Sequence, residues 1–448
     1  MQQLNSDIMG AVEAQGYRVT IGDVSTHTGL DLALAQQGLL ALAADTQAHM
    51  QVAETGDIAY EFPKNFRAIL RNKYWQLRFK AAWEQVWEVL FYLIRISFGV
   101  VLMVSIVIVI AAIVILQIAA QQSQGNNDRR GYSSSGPRIG FNPYLFFYWF
   151  DFDLRRHRGG RHRGSSRSRS QPRQPGELGF LEAIFSFLFG DGDPNADLED
   201  RRWGAIATVI RNSRGAVTAE QIAPYLDELG KGWSVEYEDY MLPVLSRFNG
   251  QPKVSPEGDM VYHFPELQVT AADQKRVPVN DFLQEVRRRF TAATSDQVML
   301  SIGLGSVNFI AAVFLGIQLQ NPDTLAQVTN LGPQINSFIG LIQAIYWFLW
   351  GYGAAFLGIP LVRYFWLQRQ NQAIVARNGQ RQQRALALAE GGELVQRKLQ
   401  YAQQYASETV LDKSDAVYST ETDLLDQEHS QRDRLDAEWQ RRLGQSNS

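Results

Sequence analysis

The sequence predicts a mostly α-helical chain with small β-hairpins: two winged-helix-like modules joined to about three transmembrane helices and a polar helical tail. Three observations point there. An eight-residue signature occurs twice, as Gly56-Asp57-Ile58-Ala59-Tyr60-Glu61-Phe62-Pro63 and as Gly258-Asp259-Met260-Val261-Tyr262-His263-Phe264-Pro265, with Gly, Asp, Tyr, Phe and Pro at identical spacing. Each copy leads into a basic, partly amphipathic linker and then a long apolar run. Beyond Arg363 the chain turns polar and helix-forming. Recurrence on this scale marks a duplicated unit.

In the first module, residues 1–65, a helix is expected from Leu4 to Gln15 and a second over Ile21–Thr28, reached through Val19-Thr20. A third should run from Asp31, an N-cap residue type, to Ala44. Short strands near His49–Val52 and Ile58–Phe62 close the module around the turn Glu54-Thr55-Gly56-Asp57. The second module, residues 201–268, repeats the order. It offers helices Trp203–Asn212, Ala219–Leu229 and Val235–Phe248, then strands near Lys253-Val254 and Met260–Phe264 about the turn Glu257-Gly258-Asp259. Helix, helix, helix, hairpin is the winged-helix order. Alternation along a strand puts the Tyr and Phe of each signature on one face, pointing into the core.

Between the first module and the first span, residues 66–96, Trp75, Phe79, Trp83, Trp87 and Phe91 recur every four residues among Arg71, Lys73, Arg78 and Lys80. This pattern predicts an amphipathic helix at the membrane interface, where such rings accumulate. Residues 97–120 carry no charge, long enough for a bilayer core, and form the first transmembrane helix. A linker helix is expected over 269–297, and further spans over 298–319 and 335–362. On the second span Gly305, Asn308 and Gly316 share a face; on the third Gly340, Gln343 and Gly351 do. Small residues let helices approach in lipid and an amide there seeks a partner, so a packed hairpin with Asn308 near Gln343 is expected.

The loop 121–200 holds an arginine-rich stretch without acids, including Arg155, Arg156, Arg158, Arg161, Arg163, Arg167 and Arg169 among Gly and Ser spacers. Such a segment cannot build a core. Anionic lipid headgroups are its expected partner, with RNA as the alternative. The basic residues that flank the second and third spans place those ends, the arginine-rich stretch and the polar tail 363–448 on the cytoplasmic side. Three crossings would separate the two modules, whereas duplicated modules more naturally share a side; the shared side is the expectation, with a return of the chain near Phe141–Phe152. The opening MQQLNSDIMG has neither a basic region nor an apolar core, so targeting is expected from the internal apolar segments.

Composition narrows the chemistry. The net charge of −3 over 448 residues selects no polyanion, and the absence of cysteine removes thiolate catalysis, disulfides and cysteine-held clusters. No nucleophile elbow, P-loop, HExxH or dinucleotide fingerprint occurs, and the six histidines are scattered. Neither an enzyme nor a cofactor is expected. Winged helices commonly read DNA with the third helix. Residues 1–63, however, set eight acidic residues against Arg18, and the third helix of the second copy starts Val235-Glu236-Tyr237-Glu238-Asp239. That charge opposes phosphate binding.

The paired GDxxYxFP signatures with their following spans, over residues 1–120 and 200–360, resemble an uncharacterised family of cyanobacterial and chloroplast membrane proteins with duplicated winged-helix-like modules. The resemblance implies a plasma or thylakoid membrane, with soluble parts mainly cytoplasmic or stromal. The expected function is a membrane scaffold or assembly factor whose acidic modules recruit membrane or peripheral proteins. The alternative is a membrane-tethered regulator that binds nucleic acid.

Overall fold

The computed structural model describes residues 2–73, 75–124, 179–230, 237–272, 276–329, 332–413, 416–421, 423, 425–429, 432, 436 and 439–440; for residues 2–5, 71–73, 75–82, 84, 85 and 121–124 it describes backbone alone. The chain is mostly helical with small antiparallel sheets, and it divides into two units. One comprises Met1–Ala82, Asp193–Arg287 and Gln370–Ser448; the other Trp83–Gly192 and Arg288–Arg369.

In the first unit, helix Gln2–Ala14 precedes strand β1 (Arg18–Thr20), helices Ile21–Thr28 and Leu32–Thr46, and strands β2 (His49–Ala53) and β3 (Ile58–Glu61). Local signals set these boundaries. Thr20 and Asp23 form a reciprocal capping box, Asp31 caps the next helix by accepting from the Ala33 amide, and Gly29 at φ +71° stops the helix between them. The second copy has helix Leu198–Asn212, β4 (Ala216–Val217), helix Ala219–Ile222, helix Leu242–Arg247, β5 (Gln251–Val254) and β6 (Met260–His263).

The two copies match in strand order and in register about the signature. Their sheets run β1-β3-β2 and β4-β6-β5, all antiparallel. Tyr60 lies opposite Val19 and Met50; Tyr262 lies opposite Val217 and Pro252. The Phe62 amide donates to the Tyr17 carbonyl at 2.8 Å, as the Phe264 amide does to Gly215 at 2.7 Å. Gly56 and Gly258 both turn at φ +88°, which side chains avoid. Tyr60, Phe62, Tyr262 and Phe264 are all buried.

Three elements differ from expectation. The helix beginning at Ala219 ends at Ile222 and passes into a 3₁₀ turn over Ala223–Tyr225, because Pro224 has no amide to continue the ladder. Of the anticipated Val235–Phe248 helix, residues 235 and 236 lie outside the described residues, a 3₁₀ turn occupies Asp239–Met241, and among the described residues Leu242–Arg247 is the α-helical part. The left-handed backbone at Glu238, φ +53°, bars an α-helix from running through that position. The linker 269–297 is not a helix: β7 (Val269–Thr270) opens it, the described residues from 276 to 294 are extended or bent, and the next helix starts at Ser295. Pro278 blocks helix there, and side chains serve the backbone instead. Tyr225 Oη donates to the Asn280 carbonyl at 2.6 Å, Asn212 to Val277 at 2.8 Å and Arg381 to Leu283 at 2.9 Å.

The polar tail binds the modules of its own chain. Arg377 makes a two-pronged bond to Glu285 (2.8 and 2.7 Å), and the buried Arg381 reaches Glu285 at 2.9 Å and also Asp227. Burial raises the Glu285 carboxyl, but bonds and charge from Arg377 and Arg381 outweigh it and hold the group below its ordinary value. Helix Glu393–Gln403 covers Ala216 and Val261 with Ala402. Lys398, nearly buried, donates to Glu220 and Glu238 at 2.7 Å each, and Tyr262 Oη donates to the same Glu238 at 2.7 Å. Burial lowers the Lys398 ammonium, yet the two carboxylates outweigh it and hold it above its ordinary value. Strand β8 (Thr409–Val410) then pairs in parallel with β7, and β9 (Ala416–Ser419) adds antiparallel to β2.

Among the described residues three helices, Trp75–Gln124 (through its stretch Val86–Ala120), Ser295–Gln320 and Pro333–Glu390, are long and apolar enough to cross a membrane, and their apolar parts lie in the second unit. The aromatic linker and the first span, expected as separate elements, belong to one continuous helix from Trp75. The second and third spans run antiparallel, since Gly305 meets Phe356, Phe309 meets Gly353 and Gly316 meets Tyr346. The first runs alongside the second in the same direction: Leu102 and Ile106 share a cluster with Leu304, and Leu116 and Ala119 with Leu315 and Leu319. The short helix Phe180–Phe189 sits at the Leu102 end, where Gly99 abuts Leu181 and Arg95 pairs with Asp191 at 2.9 Å. Gln124 and Gly179 therefore belong to opposite ends of this bundle.

The two modules meet at Asp23, whose fully buried carboxylate accepts from Arg211 at 2.7 Å. Replacing Arg211 by Met strands that charge, and urea denaturation of the solubilised chain is expected to show a loss of about 3–5 kcal/mol. The Arg67→Met variant, which breaks an exposed pair with Glu13, is expected to lose less than about 1 kcal/mol in the same measurement.

Candidate functional site

Two surfaces stand out as candidates: the seam inside the apolar bundle and the aromatic segment that leads into it. The seam is built by residues without bulk. A side chain at Gly305 would fall on the Phe356 ring, and one at Gly316 on the Tyr346 hydroxyl, so these two glycines set the closeness of the second and third spans. Asn308 is buried on the same face, but its partner is not Gln343, which is exposed. Ser105 of the first span donates to Asn308 Oδ1 at 3.0 Å, tying span one to span two inside the apolar layer. Nothing lies within 4 Å of a side chain built at Gly340 or Gly351, so neither makes a close approach.

The reason lies in which face of the third span packs. Its buried positions are Ile339, Ile342, Leu349 and Phe356, with Tyr346 and Tyr352 beside them. That stripe lies about one residue, or 100°, around from the stripe of Gly340, Gln343 and Gly351. A helix in lipid is apolar on both sides, so hydropathy does not mark the packed one, and the small residues alone pointed to the neighbouring stripe. Two further close approaches carried only a weak signal, a lone glycine: Gly99 against Leu181 and Gly353 against Phe309. At the end of the bundle Arg363 donates to the carbonyls of Phe187 (2.9 Å), Ser186 (3.3 Å) and Phe290. It thereby satisfies the last turn of helix Phe180–Phe189.

Of the aromatic series, Trp83, Trp87 and Phe91 are exposed at 56, 54 and 46%. Trp75 and Phe79 lie on the same helix; their side chains are outside the described residues. From Val86 to Ile94 the large apolar residues are exposed all round the helix, as in a segment surrounded by lipid. Phe91 and Phe98 also pack on Phe185, at 6.0 and 5.7 Å between ring centres. The arginines 155, 156, 158, 161, 163, 167 and 169, and the expected return near Phe141–Phe152, lie outside the described residues. Among the described residues no group of three His, Asp or Glu is placed to hold a metal.

No family model matches the sequence, and no solved structure matches it. The chain is 35% identical to At5g03900, an uncharacterised chloroplastic protein of Arabidopsis thaliana, over 449 aligned positions that cover 97% of this chain and 81% of the relative. The chain belongs to that protein's family. A match over 97% of the chain takes in both signature copies and the long apolar helices rather than one module alone.

Overpacking of the seam is expected to separate the two kinds of glycine. Gly316→Leu should cost the solubilised protein about 1–3 kcal/mol of unfolding free energy. Gly340→Leu, with open space around it, should leave the unfolding midpoint unchanged.

Proposed function

We propose that this protein is an integral membrane scaffold or assembly factor of the thylakoid or plasma membrane. Its two matching units are winged-helix-like modules, and they recruit other proteins on the stromal or cytoplasmic side. The shared helix order and the β1-β3-β2 and β4-β6-β5 sheets support the winged-helix reading.

One observation carries the recruiting role. The third helix of the first module, Leu32–Thr46, turns Ala33, Leu34, Gln36, Gln37, Leu40, Ala41 and Ala44 to solvent, with Leu34 at 45% and Leu40 at 43%. No Lys or Arg lies on this helix. A helix that grips DNA needs cations against phosphate; an uncharged face of leucine, alanine and glutamine suits a protein surface. The chain offers no constellation for catalysis, and the reading includes no enzyme activity and no cofactor. Expressed with an affinity tag, wild-type protein should retain a defined set of partners from solubilised membranes that Leu34→Glu/Leu40→Glu loses at unchanged melting temperature. An equal set on the variant, or a duplex DNA probe shifted by wild type and not by the variant, would refute the recruiting face.

Both modules and the tail are read as sharing one side. The beginning of the first span, the beginning of the second and the end of the third lie at one end of the bundle, the end that carries Arg95, Arg288, Arg289, Arg363 and Arg369. A shared side needs the chain to return between Gln124 and Gly179, and their places at opposite ends support this. Because cysteine is absent, single cysteines at Thr55, Glu257, Ser407 and Asp323 report sidedness cleanly. In sealed vesicles an impermeant maleimide should treat the first three alike and Asp323→Cys oppositely. Labelling that sets Thr55→Cys apart from Glu257→Cys would show the modules on different sides.

A further inference from the structure

Two adjoining clefts in the module unit share a pair of arginines that the fold itself does not use. One, of about 360 Å³, lies between the copies and is lined by His27, Arg211, Arg214, Arg276 and Glu408 among others. The other, of about 560 Å³, lies beneath the tail and again includes Arg214 and Arg276, with Gln221 and Gln403. Volumes of this size suit a small organic ligand. Arg211 is held by Asp23. Arg214 and Arg276 are exposed and make no ion pair with any described residue, and among the described residues Glu408 is the one carboxylate lining the first cleft.

The backbone at Arg214 sharpens the point. Each copy leaves its first helix through two successive left-handed residues: Gly16 and Tyr17 at φ +77° and +71°, Arg214 and Gly215 at φ +56° and +75°. The matched bonds to Phe62 and Phe264 align Tyr17 with Gly215, and hence Gly16 with Arg214. A left-handed residue with a side chain is disfavoured. At Tyr17 the side chain repays the fold, since its ring packs edge-on against Phe66 at 6.3 Å. At Arg214 the backbone carbonyl accepts from Gln268 and from the Ser407 amide, bonds a glycine would make equally well, while the guanidinium faces the clefts. Strain kept without a structural return is a pointer to function.

We propose that Arg214 and Arg276 form a binding site for a small phosphorylated anion, a diphosphate or a phosphate ester of a metabolite, seated between the two modules. Guanidinium forks match phosphate oxygens in pairs, and two of them in one place favour a polyanionic group over a single carboxylate. Glu408 restricts the site by repelling anions from its own side of the cleft. The His27 ring adds a nitrogen to the lining.

The test uses the full chain in detergent at low salt, with inorganic pyrophosphate as the probe and phosphorus NMR line broadening as the readout. Wild type should bind it saturably at one site per chain. Arg214→Gly should weaken binding at least tenfold while its melting temperature stays level or rises, because glycine suits that backbone; Arg276→Gln should weaken it comparably. Absence of saturable binding to wild type overturns the proposal. So does undiminished binding by the Arg214→Gly/Arg276→Gln double variant.

Discussion

Asp23 divides one buried carboxylate among three stretches of chain. It closes the cap of its own helix by accepting from the Thr20 amide, it accepts from Arg211 of the second module, and it accepts from the Thr270 hydroxyl and the Ala271 amide of the segment that follows. A carboxylate without solvent is tolerable only when its lone pairs are filled and its charge is met. Satisfying Asp23 therefore fixes where the two copies meet. It also fixes the strand Val269–Thr270, against which the tail strand Thr409–Val410 lies in parallel. The seam is polar at its centre and apolar at its edge, where Leu32 of the first copy joins the core of the second and Ile21 packs against it.

The tail works by the same rule. On the last turns of helix Pro333–Glu390, Arg381 takes the Leu283 carbonyl of an extended segment that has no ladder of its own and Arg384 takes the Leu226 carbonyl beyond the 3₁₀ turn, and Lys398 sits between two carboxylates beside the signature tyrosine Tyr262. Tyr262 differs in this from its counterpart Tyr60, whose hydroxyl has no partner among the described residues although its ring is fully buried. The duplicated position keeps its packing role in both copies and has gained a polar role in one. Divergence of this kind also separates Gly16 from Arg214. In both cases the matched backbone rests on hydrogen bonds that do not depend on side-chain identity.

Inside the bundle the order of forces is reversed. Lipid gives helices no reason to hide apolar surface from one another, so contact depends on close approach and on a few polar bonds. Gly305, Gly316 and Gly353 supply the approach, and Ser105 with Asn308 supplies the bond. The aromatics Trp347 and Phe348 of the third long helix are exposed, an arrangement that apolar surroundings would accommodate.

The sequence alone determined what depends on neighbours along the chain. The two signatures, the turns at Gly56 and Gly258 and the cap at Asp31 are local, and their elements lie where the residues placed them to within a few positions; the uncharged run 97–120 is local too, although its helix begins at Trp75. Prolines 224, 243 and 278 are equally local and mark where helices shorten or fail within stretches of apolar periodicity. Tertiary structure decided what depends on distant partners. Asn308 found Ser105, some two hundred positions away, because a buried amide takes whichever donor packing brings and no periodicity encodes that choice. The stretch 276–294 stays extended because arginine and asparagine side chains from elsewhere satisfy its carbonyls. Arg214 and Arg276 share a cleft only once the copies have closed on Asp23, since a charge pattern read along a chain holds no information about which cations the fold will leave without a carboxylate.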